Sequence, residues 1–447
     1  LAGQVDPTAL PKPAAPETLP PCPPGAVTLL RRVLSDAESR AVLPEWIDRV
    51  SRRAERAPAA LVPDLLDAGN ADRDLRASVL RVTGHRGPWL AAQHPAWWSW
   101  AVPRMSGGVP AGSDEPEPVS EIDPLAAASP TWQFGAFDQR LADLEGLRAI
   151  DPSAARAMVE STWDQDQPAQ RAQFLTALRT GLGEADEPLL ERALADRRQE
   201  VRLEAATLLT ALPSSGYRSR MARRLRPLVS MRGTLRPQLV VELPGELDAA
   251  GKRDGLRAKG REGLGPRSAL LAELVAGAGL APWTGTLTSA KKPADAIALA
   301  VRSDHGPALL SGWRVAARRE RDPAWLAALA IHDGNPELLA ELDPADAVPA
   351  VLELLERHPH HVWQAVSALA GPWPETISHE VLRRLGSEAA LPVDRPLQRL
   401  IASRLHPTSF LPALDMLGRR AAGGASLDAL GLLIELRQSL IRELPTA

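Results

Sequence analysis

The chain has a single cysteine, little tyrosine or phenylalanine, few lysines and no long apolar run, and each shortage removes a class of protein. Cys22 stands alone among 447 residues, which excludes an internal disulfide and any cysteine-rich zinc site. Its context, Leu19-Pro20-Pro21-Cys22-Pro23-Pro24, predicts a mobile segment and an inert thiol. No apolar stretch reaches the ~18 residues that a membrane-spanning helix needs. The N-terminus also lacks the basic-then-apolar order of a secretory signal. No membrane contact is expected, and the cytoplasm is the expected address. The first residue is Leu1 rather than Met, which suggests a start lying further upstream.

Tyrosine occurs once and phenylalanine four times against 12 tryptophans. Of 52 basic residues only Lys12, Lys252, Lys259, Lys291 and Lys292 are lysines. Abundant Ala, Arg, Pro and Gly beside scarce Lys, Tyr and Phe is what a GC-rich genome encodes, so arginine content alone does not point to nucleic acid. The net charge of -3 argues mildly against a protein that coats it.

Catalytic patterns are missing as well. The chain has no Walker loop, dinucleotide-binding glycine motif, nucleophile elbow or His-Glu-x-x-His sequence. Gly260-Arg261-Glu262-Gly263-Leu264-Gly265 superficially resembles a phosphate-cradling loop, without a strand before it or a Lys-Ser/Thr after it. His358-Pro359-His360-His361, with Glu356 nearby, is the densest imidazole cluster. Its spacing matches no standard ligand set and reads as a solvated helix start. No catalytic residue, metal or cofactor is therefore assigned.

What is present is a helical sequence. Hydrophobic residues make up 45% and charged ones 24%, the balance of a folded soluble protein. At this length one core does not suffice, and several domains or a repeat array is expected. Residues 1–26 form a proline-rich arm, with eight prolines in the first 25 residues. An N-terminal helical domain follows over 27–102, where Leu29, Leu30, Val33 and Leu34 make one apolar stripe and Leu61, Leu65 and Leu66 another. Trp89, Trp97, Trp98 and Trp100 close it, as a core plug rather than a partner-binding patch. Residues 103–135 are a flexible linker around Asp114-Glu115-Pro116-Glu117-Pro118.

The main array opens at 136. Asp151-Pro152, Asp322-Pro323 and Asp343-Pro344, with Asn335-Pro336 as a variant, each place a capping side chain before a proline at the first helical position. Gly181 and Gly183 stop the helix that carries Leu175, Leu178 and Leu182. The most informative stretch runs from Asp186-Glu187-Pro188 through Asp196-Arg197 to Val201-Arg202 and Ala205-Ala206. Two short helices meet at a tight acidic turn, Val201, Ala205, Leu208, Leu209 and Leu212 share one face, and the alanines admit a close neighbour. Asp196 and Arg202 are placed to staple adjacent turns. That order of residues marks the second helix of a HEAT repeat, and Asp151 with Ala155-Arg156 and Val159 is an earlier copy at a spacing consistent with ~40–47 residues. HEAT-like repeats are thus expected over 136–213 and C-terminal helical repeats over 268–447. The expected pairs are 293–301 with 304–319, 323–331 with 336–341, and 345–357 with 360–370. A last helix opening at Ser426 and burying Leu427, Leu430, Ile434 and Ile441 would cap the array. The fold class is all-α: a HEAT-like helical-hairpin solenoid with a short β-containing basic insertion.

That insertion spans 214–267. Leu239-Val240-Val241, between Arg236-Pro237 and Pro244-Gly245, reads as a short strand or hairpin. From Tyr217 to Arg267 thirteen basic residues face five acidic ones, an asymmetry to be explained in a near-neutral chain. The cations in question are Arg218, Arg220, Arg223, Arg224, Arg226, Arg232, Arg236, Lys252, Arg253, Arg257, Lys259 and Arg261. Either they pair with acidic helix faces of the same chain, or they form a surface for an anionic partner. Tyr217 is the only ring among them, so stacking on single-stranded bases is not expected.

Glu160-Ser161-Thr162-Trp163, Arg171 through Leu182, Asp186-Glu187-Pro188, Leu194-Ala195-Asp196-Arg197, Val201-Arg202 and Leu212-Pro213-Ser214-Ser215 resemble a bacterial family of unknown function. Trp89-Leu90-Ala91, Arg253-Asp254-Gly255 and Pro282-Trp283 extend the resemblance over most of the chain. Members of that family are encoded beside a MoxR-type AAA+ ATPase, a von Willebrand A protein and a SWIM zinc-finger protein. The resemblance implies a helical adaptor with such an ATPase or von Willebrand A protein as partner, and it supplies no catalytic residue. The expected function is a non-catalytic scaffold for protein–protein interaction. The alternative is a helical-repeat nucleic-acid binder using the basic insertion.

Overall fold

The computed structural model describes residues 11–102, 132–133, 135–233, 235–257, 259–260, 263–387, 393–421 and 427–445. The expected linker core, 103–131, lies outside them. Among the described residues the fold is all-α, apart from one antiparallel pair of strands, β1 (Val229–Arg232) and β2 (Gln238–Val241). No described helix is long and apolar enough to cross a membrane.

The chain divides into two compact units, Leu1–Asp114 with Ala370–Ala447, and Glu115–Leu369. The division of the sequence carries 268–447 as one run ending in a cap, whereas in the structure its last part belongs with the N-terminal helices. The helix Asp428–Glu443 buries Leu430, Leu433, Ile434 and Leu440 and packs on the helix Pro24–Ser35 and the short turn Ser39–Val42. Ion pairs fix this closure. Arg437 reaches Glu45 at 2.5 Å and Arg399 reaches Glu38 at 2.7 Å, while Arg49 donates to the Leu444 carbonyl at 3.0 Å.

The described part of the arm is extended, as its prolines dictate, but it is held along its length. Trp89 Nε1 donates to the Lys12 carbonyl at 2.7 Å, and the amides of His85 and Arg86 donate to Glu17. Arg56 donates to the carbonyls of Leu19 and Pro20, and Cys22 N donates to the Arg56 carbonyl. The expectation of a mobile segment around Cys22 is therefore corrected. The thiol is buried, and burial, with Glu55 adding, pushes its pKa up. A thiol reagent should react much more slowly with the native protein than with the denatured chain, and equal rates would contradict this docking.

In this unit Trp46, Trp98 and Trp373 are buried, and Trp89 and Trp100 are half-buried. Trp98 is buried and donates to Asp67, and Trp100 fills the space beside Gly69, where a Cβ would stand 2.3 Å from its ring. Trp97 is the exception, 64% exposed and stacked on His94 at 4.9 Å.

In the second unit each helix packs mainly on the next or the next but one along the chain. The expected caps are present at Asp151, Asp322 and Asn335, whose side chains take amide protons of the first turn. Asp343 precedes its helix without a side-chain cap. Asp196 and Arg202 do staple their turn, though Arg202 donates to the Asp196 backbone carbonyl at 2.8 Å and the carboxylate pairs with Arg171 instead. Helix Pro266–Ala278 lies between Gly216–Leu225 and Gly306–Glu320. Close approach on both sides needs glycine: a Cβ at Gly277 would stand 2.7 Å from Met221 Cγ, and one at Gly312 2.6 Å from Val275. Trp283, Trp313 and Trp325 line up beyond this crossing with ring centroids 5.0 and 5.1 Å apart.

One buried ion pair holds the start of this unit. Arg148, on helix Phe137–Ile150, is fully buried and meets the Asp186 carboxylate through both terminal nitrogens at 3.2 and 3.0 Å. It also donates to the carbonyls of Thr180, Pro152 and Leu178 at 2.8 Å each. Leu178 and Thr180 lie just past the end of helix Pro168–Ala177, where carbonyls lack intrahelical donors.

Candidate functional site

The basic insertion leaves the end of helix Gly216–Leu225, passes through β1 and β2 and the short helix Ala249–Arg253, and returns to helix Pro266–Ala278. The strand expected at 239–241 is β2, and its register pairs Val229 with Val241 and Arg232 with Gln238. Alternation turns Val229, Leu239 and Val241 inward and leaves Ser230, Arg232 and Gln238 exposed.

The basic residues divide into two subsets, one that pairs within the chain and one that does not. The inner subset surrounds Asp254, which is fully buried. Arg220 and Arg253 reach one of its oxygens at 3.3 Å, and Arg224 the other at 3.4 Å. Arg220 also pairs with Glu191 at 2.9 Å and Arg224 with Asp248 at 3.2 Å. Tyr217 donates its hydroxyl to the Asp254 backbone carbonyl at 2.9 Å. Burial, then the carboxylates of Asp254 and Glu273, push the Tyr217 phenol above its ordinary range. Burial opposes the charge of Arg220, yet Glu191 and Asp254 hold its pKa above the usual guanidinium value. Asp248, which caps Gly251 and meets Arg224, is held below the usual carboxylate range.

Arg218 is buried on the other side of the same helix and pairs with Glu320 at 2.8 Å. A Cβ at Gly279 would stand 1.7 Å from its guanidinium, and Gly279 has φ +78, so glycine is required there twice over. Arg319 shares Glu320 at 3.3 Å; burial, with Arg218 adding, lowers its pKa. Arg218, Arg220, Arg224 and Arg253 are thus engaged by carboxylates of the same chain, although Arg253 stays exposed.

The outer subset is Arg223, Arg226, Arg232, Arg236, Lys252, Arg257 and Lys259. All seven are exposed, and their side chains form no ion pair with other described residues. Arg261 lies outside the described residues. Four of these cations follow the chain from the helix end into the hairpin, at 223, 226, 232 and 236.

The hollows of this unit include a small one of about 180 Å³ beside Arg224, Leu228 and Leu256 and two larger ones. A cleft of about 340 Å³ beside the insertion is lined by Thr210, Tyr217, Gly255, Arg257, Glu273 and Arg319. The second, of about 380 Å³, is a groove formed by residues of helices Pro293–Val301, Pro323–Asp333 and Pro344–Arg357. Its walls are apolar and small: Ala294, Ile297 and Ala298 on the first helix, Ala324, Ala327, Ala328 and Ile331 on the second. Lys292, His332 and the Glu353–Arg357 pair at 2.8 Å stand at its rim. Sequence reasoning passed over this groove, although the alanines recur at spacings of three and four, the helical signal for one face.

The imidazole cluster stays a helix start. His358 Nε2 bonds the Ile331 carbonyl at 2.7 Å, and Pro359–His361 forms a turn before helix Val362–Ala368. Among the described residues no group of His, Cys, Asp and Glu is arranged to hold a metal.

A model of a family of unknown function matches residues 1–444. No curated protein and no solved structure matches the chain.

Proposed function

The chain belongs to the family of unknown function DUF5691, and from that premise we propose that it is a non-catalytic scaffold for protein–protein interaction. The reading treats the second unit as a HEAT-like array in the bacterial cytoplasm. The proposed partner is the MoxR-type AAA+ ATPase or von Willebrand A protein that the sequence resemblance implies. The observation that carries it is the alanine-walled groove between helices Pro293–Val301, Pro323–Asp333 and Pro344–Arg357. Small side chains let a foreign helix approach closely, and the apolar walls supply the burial that drives association. The inner arginines weigh against a continuous positive channel, since Arg218, Arg220, Arg224 and Arg253 are already paired.

Affinity capture from the native host with the tagged full chain tests this. A stable partner is expected, and Ala298→Glu or Ala327→Glu should cut its recovery about tenfold or more, because each buries a charge in the groove. Recovery of no partner, or undiminished recovery by both variants, would overturn the reading.

A further inference from the structure

We propose that the hairpin tip is a wedge for duplex nucleic acid, with Leu235 entering between stacked bases from the minor groove and Arg232 and Arg236 contacting the strands beside it. This surface is separate from the groove and stands or falls independently of the scaffold reading.

Leu235 is 98% exposed, the most exposed of the large apolar side chains described. It lies in the connection between β1 and β2. Gly233 has φ +81, and a Cβ there would stand 2.9 Å from the Arg236 carbonyl, so Gly233 and Arg236 approach closely, while the ring of Pro237 restricts the backbone that follows. The register places Arg232 opposite Gln238, which sets Arg232 and Arg236 at the same end of the hairpin. Both are exposed. The described acids of the insertion lie elsewhere: Asp254 and Asp248 are engaged by Arg220 and Arg224, and Glu242 and Glu246 follow the far end of β2. Arg223 and Arg226, also exposed, continue the positive line at the hairpin base.

An exposed leucine between two arginines fits a duplex better than the other anionic partners. Minor-groove proteins insert a single apolar side chain at a base step and hold the strands with arginine. An acidic protein face would need far more apolar area than one leucine offers to make a stable interface. Single strands would need rings to stack on, and the tip has none.

The test is fluorescence anisotropy of the full chain with a duplex of about 20 base pairs, carrying 2-aminopurine at a central T·A step. If Arg223, Arg226, Arg232 and Arg236 each neutralise a phosphate, log affinity should fall against log salt with a slope of about -3.6. Arg232→Ala with Arg236→Ala should reduce the slope by about 2 and weaken binding at least about tenfold at low salt. Leu235→Ala should leave the slope unchanged and abolish the 2-aminopurine brightening that unstacking causes. Ala327→Glu, in the separate groove, should bind the duplex as the parent chain does. Any one of three results would overturn the proposal: no duplex binding at about 50 mM salt, wild-type binding by the double arginine variant, or unchanged brightening with Leu235→Ala. Tighter binding to polyglutamate than to duplex would overturn it in favour of an acidic protein.

Discussion

Arg148→Ala is expected to destabilise the Glu115–Leu369 unit by about 3–5 kcal/mol, the usual effect of removing one partner from a fully buried ion pair. The guanidinium has no water to fall back on and meets four groups at once: the Asp186 carboxylate and the carbonyls of Thr180, Pro152 and Leu178. Its loss leaves the buried Asp186 with Arg156, at 3.1 Å and partly exposed, and the Gly183 amide at 3.0 Å, and strips donors from the carbonyls of Thr180 and Leu178. Lysine should recover little, because a single ammonium cannot reproduce a planar fork with donors in several directions. Removing Asp186 together with Arg148 should cost less than the two single changes combined, since no unpaired charge then stays buried. The double variant should still fall short of the parent, as the carbonyls remain unserved. Urea unfolding followed by circular dichroism measures this, and a loss below about 1 kcal/mol for Arg148→Ala would contradict the burial described.

Asp254→Ala should be the next most damaging change, at about 2–4 kcal/mol. Three guanidinium groups converge on this carboxylate, and without it they face one another across a vacant anion position. The expected loss is smaller than at Arg148 because Arg220, Arg224 and Arg253 are 22%, 26% and 52% exposed and can turn toward water. Arg220 also keeps Glu191. Tyr217 should be little affected, because it bonds the backbone carbonyl of residue 254 rather than the carboxylate. Asp254→Asn keeps the shape and removes the charge, so a loss close to that of alanine would assign the effect to electrostatics. A variant as stable as the parent chain would refute the description of Asp254 as the anchor of the insertion. Hydrogen exchange should place the loosening in residues 216–257.

The helices themselves were largely readable from sequence. Asp151-Pro152 and Asp322-Pro323 predicted starts that the structure places at Pro152 and Pro323, because cap chemistry is local. Leu239-Val240-Val241 predicted a strand for the same reason. Neighbouring pairs were readable too, since 293–301 meets 306–320 and 323–333 meets 336–341; what the helices pack against at long range was not. The periodicity of 428–443 says which face is buried, and that face serves equally as the cap of an array or, as found, as a seat for Pro24–Ser35. The proline-rich arm reads as extended from composition alone; whether its carbonyls find donors depended on Trp89 and Arg56, far along the chain.

The division of the basic residues lies between these cases. On helix Gly216–Leu225 the buried residues Tyr217, Met221 and Leu225 recur at intervals of four, and Arg218 lies on the edge of that face while Arg223 points away. A helical wheel could have separated those two. It could not have supplied Glu320, 102 residues from Arg218, or Asp254, 34 from Arg220. The groove was missed because alanine on a helix reads first as helix propensity, and only the third dimension puts the alanines of two helices side by side.

The scaffold reading is tested most directly by hydrogen exchange on the full chain, alone and with the protein recovered from its host. Slowed exchange concentrated in 293–301, 323–333 and 344–357, and lost with Ala327→Glu, is the predicted result. A stable complex that leaves those three helices exchanging as in the free chain would contradict it.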